Sequence, residues 1–121
     1  MVEDDDLLVF ALTEFLEADG RFSIVGRARD GREGVELAAA LDPDVVVMDI
    51  GMPVMDGVEA TRLIHAQFPS LPIVLISGLD YEEGALEGRD AGASDYVRKG
   101  RLELDLGEAI LAAARQAVGR S

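Results

Sequence analysis

The chain has 121 residues and a mass of 12.9 kDa, the size of one domain, and 49% of it is apolar, enough to bury a core. Twenty-four acidic residues against eleven lysines and arginines give a formal charge of −13, which argues against a grip on nucleic acid or an anionic membrane and suits cations or basic partners. No cysteine is present, so disulfide frameworks, thiolate zinc sites and cysteine nucleophiles are excluded.

The start, Met1-Val2-Glu3-Asp4-Asp5-Asp6, is acidic where a secretory signal is basic and then apolar. No apolar run approaches the length of a membrane span, so a cytoplasmic location without membrane contact is expected. Residues 7–17 place Leu8, Ala11, Leu12 and Phe15 at helical spacing, with Asp6 as the expected N-cap. Residues 22–28 read as a short strand, Asp30-Gly31 as a turn, and 33–41 as a second helix. Asp42-Pro43-Asp44 stops that helix and opens Val45-Val46-Val47-Met48, which leads to Asp49. Such unbroken apolarity suits a strand covered on both faces. A third helix is expected over 56–67, with Val58, Leu63 and Ile64 apolar, then a buried strand over 73–76 ending on Ser77-Gly78. Residues 81–91 make a poor helix, since Gly84 and Gly88 each cost about 1 kcal/mol relative to alanine, and are expected to be short or mobile. A last strand covers 95–98, up to Lys99, and 104–118 is an alanine-rich amphipathic helix.

This alternation, with no repeat or linker, predicts one α/β domain over residues 1–121: an open parallel sheet with helices on both faces. Such a sheet opens with a buried strand ahead of Asp4, where only Met1 and Val2 stand, so a truncated first strand is expected.

In open α/β sheets functional groups gather at the carboxyl ends of the strands, which selects Glu3, Asp4, Asp5, Asp49, Ser77 and Lys99. Crowded carboxylates repel one another, and a divalent cation with oxygen ligands relieves them; Mg²⁺ fits such a set. A carboxylate can also accept a phosphoryl group as a mixed anhydride, with Lys99 as a mobile charge and Ser77 as a hydrogen-bond donor to the phosphoryl oxygens. A buried unpaired carboxylate is costly, so Asp49 after its apolar run reads as functional.

The segment Asp49-Ile50-Gly51-Met52-Pro53-Val54-Met55-Asp56-Gly57 resembles the phosphoacceptor segment of response-regulator receiver domains, which have the CheY-like fold. Supporting motifs are Glu3-Asp4-Asp5, Asp42-Pro43-Asp44, Ile76-Ser77-Gly78, Ala91-Gly92-Ala93 and Tyr96-Val97-Arg98-Lys99. The spacings from Asp49 to Asp4, Ser77 and Lys99 are similar to those of the NarL/LuxR-type subfamily. The resemblance implies a five-stranded parallel sheet of order 2-1-3-4-5 flanked by five helices. It implies Asp49 as the phosphoacceptor, and Glu3, Asp4, Asp49 and the Gly51 carbonyl as the Mg²⁺ ligands, with Asp5 the weaker candidate. Ser77 and Lys99 are implied as phosphate-contacting groups that assist the transfer at Asp49, Tyr96 as a switch aromatic, and Gly78 as an open approach for the donor. The implied function is a module of a two-component system, phosphorylated by a sensor histidine kinase and not an enzyme in its own right. Phosphorylation would change how the 81–118 face engages an output domain or effector, and a homodimer is left open. Two departures are Gly51, which offers no side chain to the attacking water, and Gly100, where many receivers carry proline.

Plainer readings stand beside these. The acidic start can be merely solubilising, Ser77 a helix cap, Lys99 a structural ion pair and Tyr96 a packing residue. Met52 and Met55 read as loop and core contacts, and His65 as solvent-exposed with no sign of a phosphodonor role. A second function class is a degenerate receiver, a protein-binding module independent of phosphorylation. A phosphohydrolase is disfavoured because Gly51 stands where such enzymes place a second carboxylate. A flavodoxin-like cofactor binder is disfavoured by the acidic first loop and the absence of tryptophan.

Overall fold

The computed structural model describes residues 1–51, 55–78 and 81–120. In chain order these form α1 (Asp6–Ala18), α2 (Gly31–Leu41), β1 (Val46–Asp49), α3 (Gly57–Gln67), β2 (Ile73–Ser77), α4 (Tyr81–Ala91), β3 (Asp95–Arg98), a 3₁₀ turn (Lys99–Arg101) and α5 (Leu102–Arg120). The three strands are parallel in the order β1-β2-β3, with Asp49 level with Ile76 and Ser77 level with Arg98.

Two further segments extend this sheet beyond β1. Val2 is bridged in parallel to Met48 on one side and to Ala28 on the other. Val2 N–H donates to Val47 O at 2.7 Å and Asp49 N–H to Val2 O at 2.9 Å; Ala28 N–H donates to Met1 O at 2.9 Å and Glu3 N–H to Ala28 O at 3.0 Å. The spatial order is therefore residues 26–28, residues 1–3, β1, β2, β3, which is the expected 2-1-3-4-5 arrangement with its first two members reduced to bridges. The predicted strand over 22–28 is corrected accordingly: only Ala28 enters the ladder. A parallel edge segment is held only as far as its neighbour runs beside it, and the neighbour here supplies only Met1 to Glu3.

Aspartates set the helix starts. Asp30 accepts from Glu33 N–H and Asp56 from Glu59 N–H, both at 2.9 Å, so α2 begins two residues before the predicted 33. At α1 the cap is Asp5 and not the expected Asp6: the Asp5 carboxylate accepts from Leu7 N–H at 3.0 Å and Leu8 N–H at 3.2 Å. The helix α1 buries Leu12 and Leu16 and leaves Ala11 and Phe15 outside, a rotation of the predicted stripe. Within α3 Leu63 is likewise exposed while Val58 and Ile64 are buried.

Strand alternation divides the core in two. Val47, Val74, Ile76 and Val97 face Leu12, Leu16, Leu106 and Ile110 of α1 and α5. Val46, Met48, Ile73 and Leu75 face Val2, Ala38, Ala60 and Ile64 on the other side. Val2 is 4% exposed and its methyls lie against Gly34 of α2. Val2→Ala is expected to lower folding stability by about 2 kcal/mol in urea denaturation, since it removes two buried methyl groups at the point where three segments meet.

Candidate functional site

The parallel register brings three chain ends to one edge of the sheet. Asp49 closes β1, Ser77 closes β2, and Lys99 follows the last residue of β3. Glu3 and Asp4 arrive beside them because Val2 is locked into the ladder one residue earlier. Asp49 is 3% exposed and Glu3 1%, whereas Asp4 is exposed; carboxylate oxygens of all three lie within 4.8 Å of one another. Lys99 Nζ stands 3.2 Å from Asp49 Oδ2 and 3.5 Å from Glu3 Oε2, so one ammonium serves two buried carboxylates.

The charge balance is uneven. Burial, and then the neighbouring Asp49 carboxylate, push the Glu3 carboxyl up to about 7. Burial works against the Lys99 ammonium, but Asp49 and Glu3 together outweigh it and hold its pKa above the ordinary lysine value. Glu3 Oε1 accepts Asp5 N–H at 3.1 Å, while the buried Glu3 Oε2 accepts no hydrogen bond among the described residues. That oxygen meets the Lys99 ammonium as an ion pair without a hydrogen bond, and the carboxylates of Glu3, Asp4 and Asp49 together offer hard oxygen donors, so the donor set suits Mg²⁺. Because the folded state holds a proton on Glu3 that the unfolded state has released, the metal-free domain is expected to lose stability as pH rises from about 4.5 to about 7. Urea midpoints measured across that range should fall, and should rise again at the upper end on addition of Mg²⁺.

The remaining predicted residues are placed as follows. Gly51 is exposed, and its N–H points to Asp49 Oδ1 at 3.4 Å. Ser77 is buried and Gly78 exposed, directly beside the Asp49 strand end. Asp5 stands outside the carboxylate cluster because its side chain caps α1. Met52 lies outside the described residues.

Tyr96 is half-buried and level with Leu75, its ring turned toward α4. A Cβ on Gly84 would strike the Tyr96 hydroxyl, and one on Gly88 would strike Leu75 and approach the same ring. Helix α4 runs eleven residues where a short or mobile one is expected, and its two glycines stand where Tyr96 and Leu75 pack against it. Their cost in helix propensity is offset by the packing of Tyr96 that they admit. His65, expected in solvent, is half-buried against Gly92, whose φ of +112° brings its backbone close to the imidazole.

Arg27 was not among the predicted residues. Its Nε and Nη2 donate to the Glu3 carbonyl at 3.2 and 3.0 Å, and its Nη1 pairs with Asp6 at 2.7 Å. The guanidinium thus fixes the backbone at the acidic pair from the far side. An arginine near the end of a predicted strand, with Arg29 two residues on, is the only sequence signal it leaves.

Among the described residues no helix is long and apolar enough to cross a membrane. Residues 1–111 match the family model for the response regulator receiver domain. A protein-glutamate methylesterase/protein-glutamine glutaminase of Pseudomonas aeruginosa is 42% identical over 101 residues, covering 82% of this chain and 27% of that protein. The transcriptional regulatory protein LiaR of Bacillus subtilis is 34% identical over 115 residues, covering 95% of this chain and 54% of LiaR. The chain thus spans between about a quarter and about half of these relatives. Among solved structures, the response regulator domain of Thermotoga maritima CheB superposes with a TM-score of 0.87 at 31% identity, covering 94% of this chain and 92% of the other. A LuxR-family two-component response regulator from Aurantimonas superposes with a TM-score of 0.90 at 30% identity, covering 95% and 82%. Fold, acidic strand ends and family match agree, and the chain belongs to the response regulator receiver domains of two-component systems.

Proposed function

We propose that this chain is a phosphorylation-controlled switch that takes a phosphoryl group on Asp49 from a sensor histidine kinase. The observation that carries the reading is the buried Asp49 carboxylate, set 3.2 Å from Lys99 Nζ within a cluster of three carboxylates. An Asp49 oxygen attacks phosphorus, the bond from phosphorus to the donor nitrogen breaks, and the imidazole keeps the electron pair, leaving an acyl phosphate on the protein. Glu3, Asp4, Asp49 and the Gly51 carbonyl would hold Mg²⁺, which when bound neutralises charge on the phosphoryl oxygens. Lys99 then turns from its carboxylate partners toward the phosphoryl group, and the Ser77 hydroxyl donates to it. Tyr96, lodged against Gly84 and Gly88, links that change to α4 and the 81–118 face, where an output domain, an effector or a second copy would read it. The module itself turns over no external substrate, acts in the cytoplasm and spans residues 1–121.

The NarL/LuxR-type assignment is supported by the residue spacings and by the LuxR-family structure, while the methylesterase relatives support a different output. Intact-protein mass after treatment with acetyl phosphate and Mg²⁺ tests the reading. One phosphoryl adduct, mapped to Asp49, is expected. A folded protein that takes up none would instead be the phosphorylation-independent binding module.

A further inference from the structure

The acidic pair Glu3-Asp4 is slung between two fixed points. On one side the ladder ends at Glu3, whose N–H donates to Ala28 O at 3.0 Å; on the other, α1 begins at Asp6 and is capped by Asp5. A parallel ladder carried one rung further would bring Asp30 N–H to the Glu3 carbonyl. No such bond forms among the described residues, where Asp30 instead caps α2. The Arg27 guanidinium stands in its place, with Nε at 3.2 Å and Nη2 at 3.0 Å from the Glu3 carbonyl oxygen. That oxygen belongs to the planar peptide joining Glu3 to Asp4, so holding it sets the direction in which Asp4 leaves the sheet. The same guanidinium reaches α1 through Nη1, 2.7 Å from Asp6 Oδ1. One side chain thus ties the ladder end to the helix start, and Asp4 lies between the two ties.

A fixed positive charge this close to a cation site would repel the ion it helps to seat. The arrangement avoids that conflict. Among the described residues Arg27 pairs with no carboxylate except Asp6, which stands outside the cluster of Glu3, Asp4 and Asp49. The guanidinium therefore grips the backbone of the acidic pair, leaves its carboxylates free, and has its own charge matched by Asp6. We propose that Arg27 is a positioning residue for the divalent cation: it supplies the missing rung, aims Asp4, and through Asp6 does so without adding net charge beside the site. The inference rests on the reading of Glu3, Asp4 and Asp49 as the cation's ligands.

The test is Mn²⁺ binding to the intact chain, followed by the paramagnetic resonance signal of the free ion and reversed by Mg²⁺. The parent should bind one ion, and Asp49→Asn should lose it. Arg27→Met and Arg27→Lys should each raise the Kd about tenfold, although the first removes a positive charge and the second keeps it. Asp6→Asn should weaken binding several-fold at low salt, with the gap to the parent narrowing as salt is raised. Affinity unchanged in either Arg27 variant overturns the proposal, and a lower urea midpoint beside it would make Arg27 a structural residue only. Tighter binding in Arg27→Met also overturns it, as the mark of charge acting alone. Should the Arg27 variants fail to fold, Asp6→Asn decides, and parent-like affinity at low salt overturns the proposal. A parent that binds no Mn²⁺, or binds it no better than Asp49→Asn does, would overturn the ligand reading itself.

Discussion

Asp49→Asn is expected to abolish phosphoryl uptake from acetyl phosphate while raising the folding stability of the metal-free domain. The amide keeps the shape of the side chain and removes the nucleophilic charge, so the adduct seen by intact mass should fall to background. The gain in stability comes from the crowding at the strand ends. Three carboxylates lie within 4.8 Å of one another and one ammonium, Lys99, serves the two that are buried. The Glu3 carboxyl is raised to about 7, first by its burial and then by the Asp49 charge. Removing that charge should return Glu3 toward its ordinary value, flatten the pH dependence of stability and add about 1 kcal/mol in urea denaturation. An adduct retained in the variant would move the acceptor elsewhere. A less stable variant would mean that the Asp49–Lys99 pair outweighs the repulsion between the acids.

Gly57→Ala is expected to damage fold and site together, with a loss of about 2–4 kcal/mol. A Cβ at Gly57 would run into the carbonyl of Asp49 and approach the Cα of Ile50, all of it backbone that has no rotamer to yield. Gly57 N–H also donates to Ile50 O at 3.0 Å, which ties the first turn of α3 to the end of β1. Relief requires either α3 or the strand end that carries Asp49 to shift, so phosphorylation by acetyl phosphate should slow as stability drops. Gly51→Ala and Gly100→Ala are the matched controls, since a Cβ at either meets nothing within 4 Å. Both should stay within about 0.5 kcal/mol of the parent. A Gly57→Ala protein as stable as those controls would show that the contact between α3 and β1 is looser than its geometry.

Much of this was legible in the chain because the physics was local. The apolar runs ending on Asp49 and Ser77 are unbroken, whereas Asp30, expected in a turn, and Asp56, expected as the first residue of its helix, are the N-caps of α2 and α3. The acidic start was harder. Asp4, Asp5 and Asp6 are chemically alike, and which one caps α1 depends on where the ladder of Val2 stops. Arg27 was missed because its role is to hold a backbone carbonyl brought near by folding, which leaves no spacing pattern. The glycines of α4 were read as weakness by helix propensity alone, and only the position of Tyr96 turns them into a fit. His65 was misjudged for the same reason, since the close approach of Gly92 is a tertiary fact.

The tie between Glu3 and Lys99 joins residues that stand almost the whole chain apart. Contacts of that span form late in folding, after the loop between them has been closed at an entropic cost that local helices do not bear. During synthesis the acidic residues emerge well before their lysine, so a nascent chain carries the carboxylates without the cation that lets them be buried. The site therefore matures only when the last strand docks. Any competence to accept a phosphoryl group then reports that this final step of assembly has taken place.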